Sequence, residues 1–405
     1  MIQNKAKNKI ALTGGAAMAE ALKQIDPDVM PVYPITPQTP IIETFAKFGA
    51  DGEVSTEIIQ VESEHSAISA AVGASAAGAR TVTATSSQGL ALMNEILYIA
   101  SGMRLPILMA VSARALSAPI SIHGDHSDVM GARDAGWIQI FSENVQEAYD
   151  NIIIGMKLAE KVSLPVMVIM DGFITSHSVE NLEILETEKV KEFVGEYQPE
   201  KYLLDVDNPV TFGAFSLQES HFDFKVDQEK AMNDSGEEYQ KIAKEFEKLS
   251  GRTKDYFEAY ELEDAEQAIV LMGSTAGTVK DVVDKMRSQG QKVGLLKLNL
   301  FRPFPAKEIA EALKNTKNIA VLDRAMSIGT MPPLYMEIIN SLHETSGIDK
   351  KDKETYIIHN TRYKIHSYIY GLGGRDIFAA DIEKVYDDLI QGEISSGIKY
   401  IGIKK

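Results

Sequence analysis

The chain has 405 residues, with 41 Lys and Arg against 58 Asp and Glu, a net charge of −17, and no cysteine. The missing thiols exclude a disulfide, a cysteine nucleophile and a thiolate-bound iron–sulfur cluster on this chain. The acidic balance argues against nucleic acid as a partner and suits one with a basic patch; no apolar run is long enough to cross a bilayer.

The opening, MIQNKAKNKIALTGG, has no apolar stretch or cleavage site of a signal peptide, so a cytoplasmic location is expected. A length of 405 residues exceeds what one core usually serves, so more than one domain is expected. Short Val-, Ile-, Thr- and Met-rich runs predict strands at Val29–Tyr33, Glu57–Val61, Thr81–Thr85, Pro106–Ser112, Trp137–Phe141 and Pro165–Met170. Helices are expected between them at Thr39–Phe48, Ser63–Gly78, Gln88–Met103 and Asn144–Val162. This alternation predicts a doubly wound parallel α/β sheet. Residues 173–255 are rich in charge and lack the alternation. They read as an excursion and linker containing one charged helix, Glu229–Lys248, with no third core. From Ala268 the alternation resumes with AIVLMGS, KVGLLKLNL and NIAVLDR as strands. TVKDVVDKMRSQG, AKEIAEALKNT, LYMEIINSLHE and AADIEKVYDDLIQG read as helices, the first stopped by Gly290. The expected domains are therefore 1–255 and a smaller α/β domain over 256–405.

Ligands of such sheets bind beyond the carboxyl ends of the strands. Four loops there could carry chemistry. Tyr33-Pro34-Ile35-Thr36-Pro37 is a stiff loop that presents the Thr36 hydroxyl to a ligand or uses it as a helix N-cap. Glu64, in ESEH, stands at a helix start, either facing the crevice or simply matching the helix dipole. The Thr85–Leu90 stretch TSSQGL either caps the next helix or offers amides to a ligand. Arg114 lies just beyond an apolar strand, placed to grip a carboxylate or to pair with a nearby Asp of GDHSD. His123 and His126 are too sparse a pattern to specify a metal. GxGxxG after a strand, GxxxxGK[ST], GxSxG and the Gly-Asp-Gly…Asn pattern that holds Mg²⁺–diphosphate in thiamine enzymes are all absent from the sequence.

YPITPQTP, VESEHSAISAAVGASAAGARTVTATSSQGLALMNE, Arg114 with GDHSD, MDGFITSH, NPVTFGA, LNLFRPFPAKEI and LDRAMSIG follow one another along the chain. Together they resemble the alpha subunits of 2-oxoacid:ferredoxin oxidoreductases, the pyruvate members most closely. The resemblance implies a pyrimidine-binding domain of thiamine enzymes followed by a domain like the transketolase C-terminal domain. It implies oxidative decarboxylation of pyruvate to acetyl-CoA and CO₂, reversible, with electrons passed to ferredoxin. Thiamine diphosphate would be shared with a beta-type subunit that brings Mg²⁺ and a [4Fe–4S] cluster, and gamma- and delta-type subunits would complete the complex, the further clusters lying on the small ferredoxin-like one. By motif, Glu64 corresponds to the acid on the aminopyrimidine, Tyr33 and Pro34 to its surroundings, Thr36 to the contact with substrate oxygens, and Arg114 to the grip on the substrate carboxylate. The alternatives are 2-oxoisovalerate, 2-oxoglutarate or oxalate as substrate, or a non-catalytic scaffold. The YPITP loop adds no cation for a second substrate carboxylate.

Overall fold

The computed structural model describes residues 8–345, 363–392 and 397–404. The chain divides into two compact units: Met1–Asp255 with Leu300–Pro303, and Tyr256–Asn299 with Phe304–Lys405. Strands of the first are β1 (Asn8–Thr13), β2 (Val29–Val32), β3 (Glu57–Gln60), β4 (Thr81–Thr85), β5 (Ile107–Ala113), β6 (Ile138–Ser142), β7 (Val166–Asp171) and β8 (Val179–Ile184). The second has β9 (Phe257–Tyr260), β10 (Gln267–Met272), β11 (Val293–Leu298), β13 (Asn318–Asp323), β14 (Lys364–Ile369) and β15 (Ile398–Tyr400), while β12 (Leu300–Arg302) returns to the first.

The large sheet of the first unit runs β12-β6-β7-β5-β4-β2-β3, parallel throughout except for β12. Every residue of β4, β5, β6 and β7 is buried, which is why these strands read as continuous apolar or Thr-rich runs. From β2 the chain first moves outward to β3, then inward to β4. The direction of winding therefore reverses between β2 and β4, and in such sheets the carboxyl ends at this reversal are where ligands bind. The helix expected at Gln88–Met103 is interrupted at Met93, between Ser87–Leu92 and Asn94–Gly102.

Two sequence expectations are corrected. The second domain expected over 256–405 takes in the whole of LNLFRPF, but Leu300–Arg302 pairs antiparallel with β6 in the first unit's sheet. The reason is the edge: β6 is buried at every position and would otherwise expose a row of unpaired amides. Leu300 and Phe301 are fully buried there, Phe301 edge-on to Phe141 at 6.2 Å. The charged excursion is more than a linker. Its helix spans Gln218–Ser250, and Met232, Ser235, Gly236, Tyr239, Ile242, Ala243 and Phe246 form a buried stripe at helical spacing. That stripe packs on the helix Val145–Val162, and Arg252 then grips the fully buried Asp150 with two nitrogens at 2.7–2.9 Å. The segment also forms β8, antiparallel to β1.

The second unit is a six-stranded sheet, β15-β14-β13-β10-β11-β9, with only β9 antiparallel. Ile269, Leu271, Val283, Leu295, Leu322 and Tyr386 sit in its core. The helix Thr275–Ser288 stops before Gly290, which takes φ 85°.

Candidate active site

Arg114 continues directly from the end of β5 and is 5% exposed. Its Nη1 donates to the Thr36 carbonyl at 2.9 Å and its Nε to the Ser121 carbonyl at 2.9 Å. Burial lowers its pKa, yet a guanidinium stays charged at neutral pH. The loop after β2 and the loop after β5 are thus joined through Arg114. Thr36 is exposed, and its hydroxyl makes no hydrogen bond among the described residues. It is not the helix cap: Gln38 holds that place before Thr39–Ala50, and the Gln38 Oε1 accepts from the Ile35 amide. Tyr33 and Pro34 lead into this loop, and no hydrogen bond ties either to Glu64 or Arg114.

Glu64 is the first residue of the helix Glu64–Ala76, capped by Ser63, whose hydroxyl accepts from the Ser66 amide at 3.2 Å. Glu64 is 8% exposed, and its carboxylate makes no hydrogen bond or ion pair among the described residues. The dipole at the helix start favours its charge without filling its lone pairs. Its neighbour Glu62 differs: it takes the Ser66 hydroxyl at 2.5 Å and stays at the surface. Gly89 lies against Glu64. A Cβ there would stand 2.8 Å from the Glu64 Oε1 and 2.5 Å from the Thr85 Oγ1, so only glycine leaves the carboxylate in place. The Thr85 hydroxyl is itself buried, without a hydrogen-bond partner among the described residues.

The TSSQGL turn joins these parts. The Ser86 hydroxyl donates to the Ser112 carbonyl at 2.7 Å, and the Ser87 hydroxyl to the Ala115 carbonyl at 2.6 Å. Asp128 was not singled out by sequence reasoning, except as one of the acids of GDHSD that could pair with Arg114. It does not take the guanidinium. Its Oδ2 accepts the main-chain amides of Ser87 (2.7 Å) and Arg114 (2.9 Å), and its Oδ1 that of Val129 (2.7 Å). Burial pushes its carboxyl up to about 7, against the pull of those amides. No periodicity could have revealed a carboxylate aimed at backbone from another loop.

His123 and His126 diverge. His126 is buried and pairs through Nε2 with the Asp171 Oδ1 at 2.6 Å, while the exposed His123 lies tilted against Phe173, ring centroids 5.0 Å apart. Among the described residues no group of three or more His, Asp or Glu could hold a metal.

Residues 20–244 match the model described as "Pyruvate flavodoxin/ferredoxin oxidoreductase, thiamine diP-bdg", and residues 265–382 match "Pyruvate:ferredoxin oxidoreductase core domain II". The chain belongs to the pyruvate flavodoxin/ferredoxin oxidoreductase family. Pyruvate synthase subunit PorA of Thermotoga maritima is 51% identical over 98% of both chains. Ketoisovalerate oxidoreductase subunit VorA of Pyrococcus horikoshii is 39% identical, again over 98% of each. Among solved structures, a 2-oxoglutarate:ferredoxin oxidoreductase from Magnetococcus marinus superposes with a TM-score of 0.72 at 21% identity, a likeness of fold; it covers 95% of this chain, which spans 66% of that longer one. Family membership makes this a subunit of a multi-chain oxidoreductase with a thiamine-diphosphate-binding domain. No helix among the described residues is long and apolar enough to cross a membrane.

Proposed function

We propose that this chain is the alpha-type subunit of a cytoplasmic pyruvate:ferredoxin oxidoreductase, lending Glu64, Thr36 and Arg114 to a thiamine diphosphate site shared with a beta-type subunit. The reaction joins pyruvate and coenzyme A to give acetyl-CoA and CO₂, passes the electrons one at a time to ferredoxin, and is reversible. The observation that carries the reading is Glu64: a carboxylate 8% exposed at a helix start, beside a glycine where an added Cβ would meet it, with no hydrogen-bond or ion-pair partner among the described residues. Such a group is costly unless a ligand completes it. An aminopyrimidine, which can share a proton with a carboxylate at a ring nitrogen, fits.

When bound, thiamine diphosphate supplies the electron sink that decarboxylation of a 2-oxoacid requires. Glu64 would hold the pyrimidine and keep a proton at that nitrogen, general acid–base work done from a fixed helix end. Arg114 would hold the substrate carboxylate. Its bonds to two main-chain carbonyls orient the guanidinium, and Nη2 makes no bond among the described residues. The Thr36 hydroxyl, on the loop that Arg114 fastens, would meet the substrate oxygens, with Tyr33 and Pro34 stiffening the approach. Nothing in the chain matches the diphosphate half: Gly-Asp-Gly is missing and cysteine is absent. Mg²⁺ and the [4Fe–4S] clusters are therefore assigned to partners of beta and delta type, with a gamma type completing the complex.

Pyruvate is favoured because the relative named for it is 51% identical against 39% for the ketoisovalerate relative. The test is turnover of the co-purified complex on pyruvate, 2-oxobutyrate, 2-oxoisovalerate, 2-oxoglutarate and oxalate with a viologen acceptor. A higher kcat/KM on any acid other than pyruvate overturns the substrate. Normal activity of a Glu64→Gln complex overturns the site and favours a scaffold.

A further inference from the structure

Among the ties between the turn after β4 and the loop after β5, one side chain, Asp128, takes a main-chain amide from each. Asp128 is 3% exposed and, among the described residues, makes no ion pair. Its three amide donors come from the turn after β4, the end of β5 and its own short helix Ser127–Gly131. Two of those donors are consequential. Ser87 opens the turn that carries Gly89, against which the Glu64 carboxylate rests. Arg114 is the guanidinium itself, fixed at its backbone by the same Asp128 oxygen. Ser87 also sits at φ 48°, a left-handed backbone unfavourable for serine, so the turn is held by its ties and not by local preference. Its second tie, the hydroxyl on the Ala115 carbonyl, runs to the same β5 loop.

We infer that Asp128 is a positioning residue, which sets the spacing between the Glu64 side and the Arg114 side of the site by gripping the Ser87 and Arg114 amides on one carboxylate oxygen. The inference rests on the proposed roles of Glu64 and Arg114. Removing the carboxylate leaves three buried amides without that acceptor, and the main chains at Ser87 and Arg114 are then held to each other only through the Ser86 and Ser87 hydroxyls. The neighbouring Asp125 provides a control: it takes the Ser127 amide and hydroxyl within its own loop, at 2.9 and 2.6 Å.

The experiment uses the assembled complex. Asp128→Ala should raise the KM for pyruvate on the order of 10- to 100-fold, and calorimetric titration of cofactor-free complex should show weaker thiamine diphosphate binding. Asp128→Asn, which keeps one acceptor, should fall between Ala and wild type, and Asp125→Asn should leave both quantities unchanged. The deciding arm is a double-mutant cycle. Because Asp128 acts through Arg114, Asp128→Ala should add little to KM when Arg114 is already Ala, whereas a merely structural role adds in full. Full additivity, or equal effects of the Asp125 and Asp128 variants, overturns the inference. If the Ala variant does not assemble, Asp128→Asn decides: it keeps only one oxygen for the three amides, so a raised pyruvate KM supports the grip and an unchanged one ends it. An Arg114→Ala complex with normal KM is a different failure: it removes the role of Arg114, and the inference falls with that reading.

Discussion

The two units meet the same structural problem and solve it differently. Each has a buried arginine just past a buried parallel strand, Arg114 after β5 and Arg324 after β13, and each has a buried aspartate accepting main-chain amides. Burial pushes both carboxyls, Asp128 and Asp323, up to about 7. The amides on Asp323 come from Leu334 and Tyr335, at 2.8 and 3.1 Å, both in the first turn of the helix Pro333–Thr345. It is a helix cap. The amides on Asp128 come from three segments and join two loops of the crevice. Arg324 spends its guanidinium on the Gly371 carbonyl and the Ser274 hydroxyl, over the Tyr370 ring. A buried charge at a strand end is therefore no mark of a site by itself. What distinguishes the first unit is Glu64, buried, without a partner among the described residues, and pressed against a glycine.

That contrast can be broken by mutation. Glu64→Gln in the assembled complex should cost on the order of 10²- to 10⁴-fold in turnover, with assembly intact by gel filtration; turnover near wild type would erase the distinction. Arg114→Ala should raise the pyruvate KM and lower kcat/KM by roughly 10- to 100-fold, the value of a hydrogen bond to a charged group. Gly89→Ala sharpens the point, since its Cβ meets the Glu64 carboxylate at 2.8 Å. The acid should swing aside and kcat fall about 10-fold, while the clash with the buried Thr85 hydroxyl at 2.5 Å costs about 1–3 kcal/mol of stability. Arg324→Ala should do the reverse, costing about 1–3 kcal/mol of stability and leaving the pyruvate KM alone; a KM shift like that of Arg114→Ala would make the two arginines equivalent. The smallest effect concerns Asp323. Its carboxyl ordinarily titrates at 3.8 and in the fold at about 7. Its contribution to stability is thus complete below the lower value and lost as pH rises through the upper one. Asp323→Asn should flatten the fall in melting temperature over that window, and an unchanged slope would mean the group is not buried as an acid.

Strands within both units were legible because burial on two faces leaves an apolar run that sequence alone displays, as in Ile107–Ala113 and Val166–Asp171. The long helix was half legible. Its buried stripe is diluted by Glu, Lys and Asp, so only the stretch with strong helix formers stood out, and the expected Glu229–Lys248 grew to Gln218–Ser250. Strand β12 was hidden, since three residues carry no period and their partner β6 lies some 160 residues earlier in the chain.

Composition and pattern determined what this chain is made to be: an acidic, cysteine-free α/β protein of two units, with Thr36, Glu64, Arg114 and a serine turn placed at strand ends. These follow from local rules, the period of burial, the stiffness of proline and the chemistry each side chain can offer. Only the tertiary structure decided that Arg114 would reach the Thr36 carbonyl, that Glu64 would find no partner among the described residues, and that Asp128 would take amides instead of the guanidinium. Those outcomes depend on which strands lie side by side, and adjacency across a parallel sheet is set by the packing of distant segments, which no local run of residues encodes.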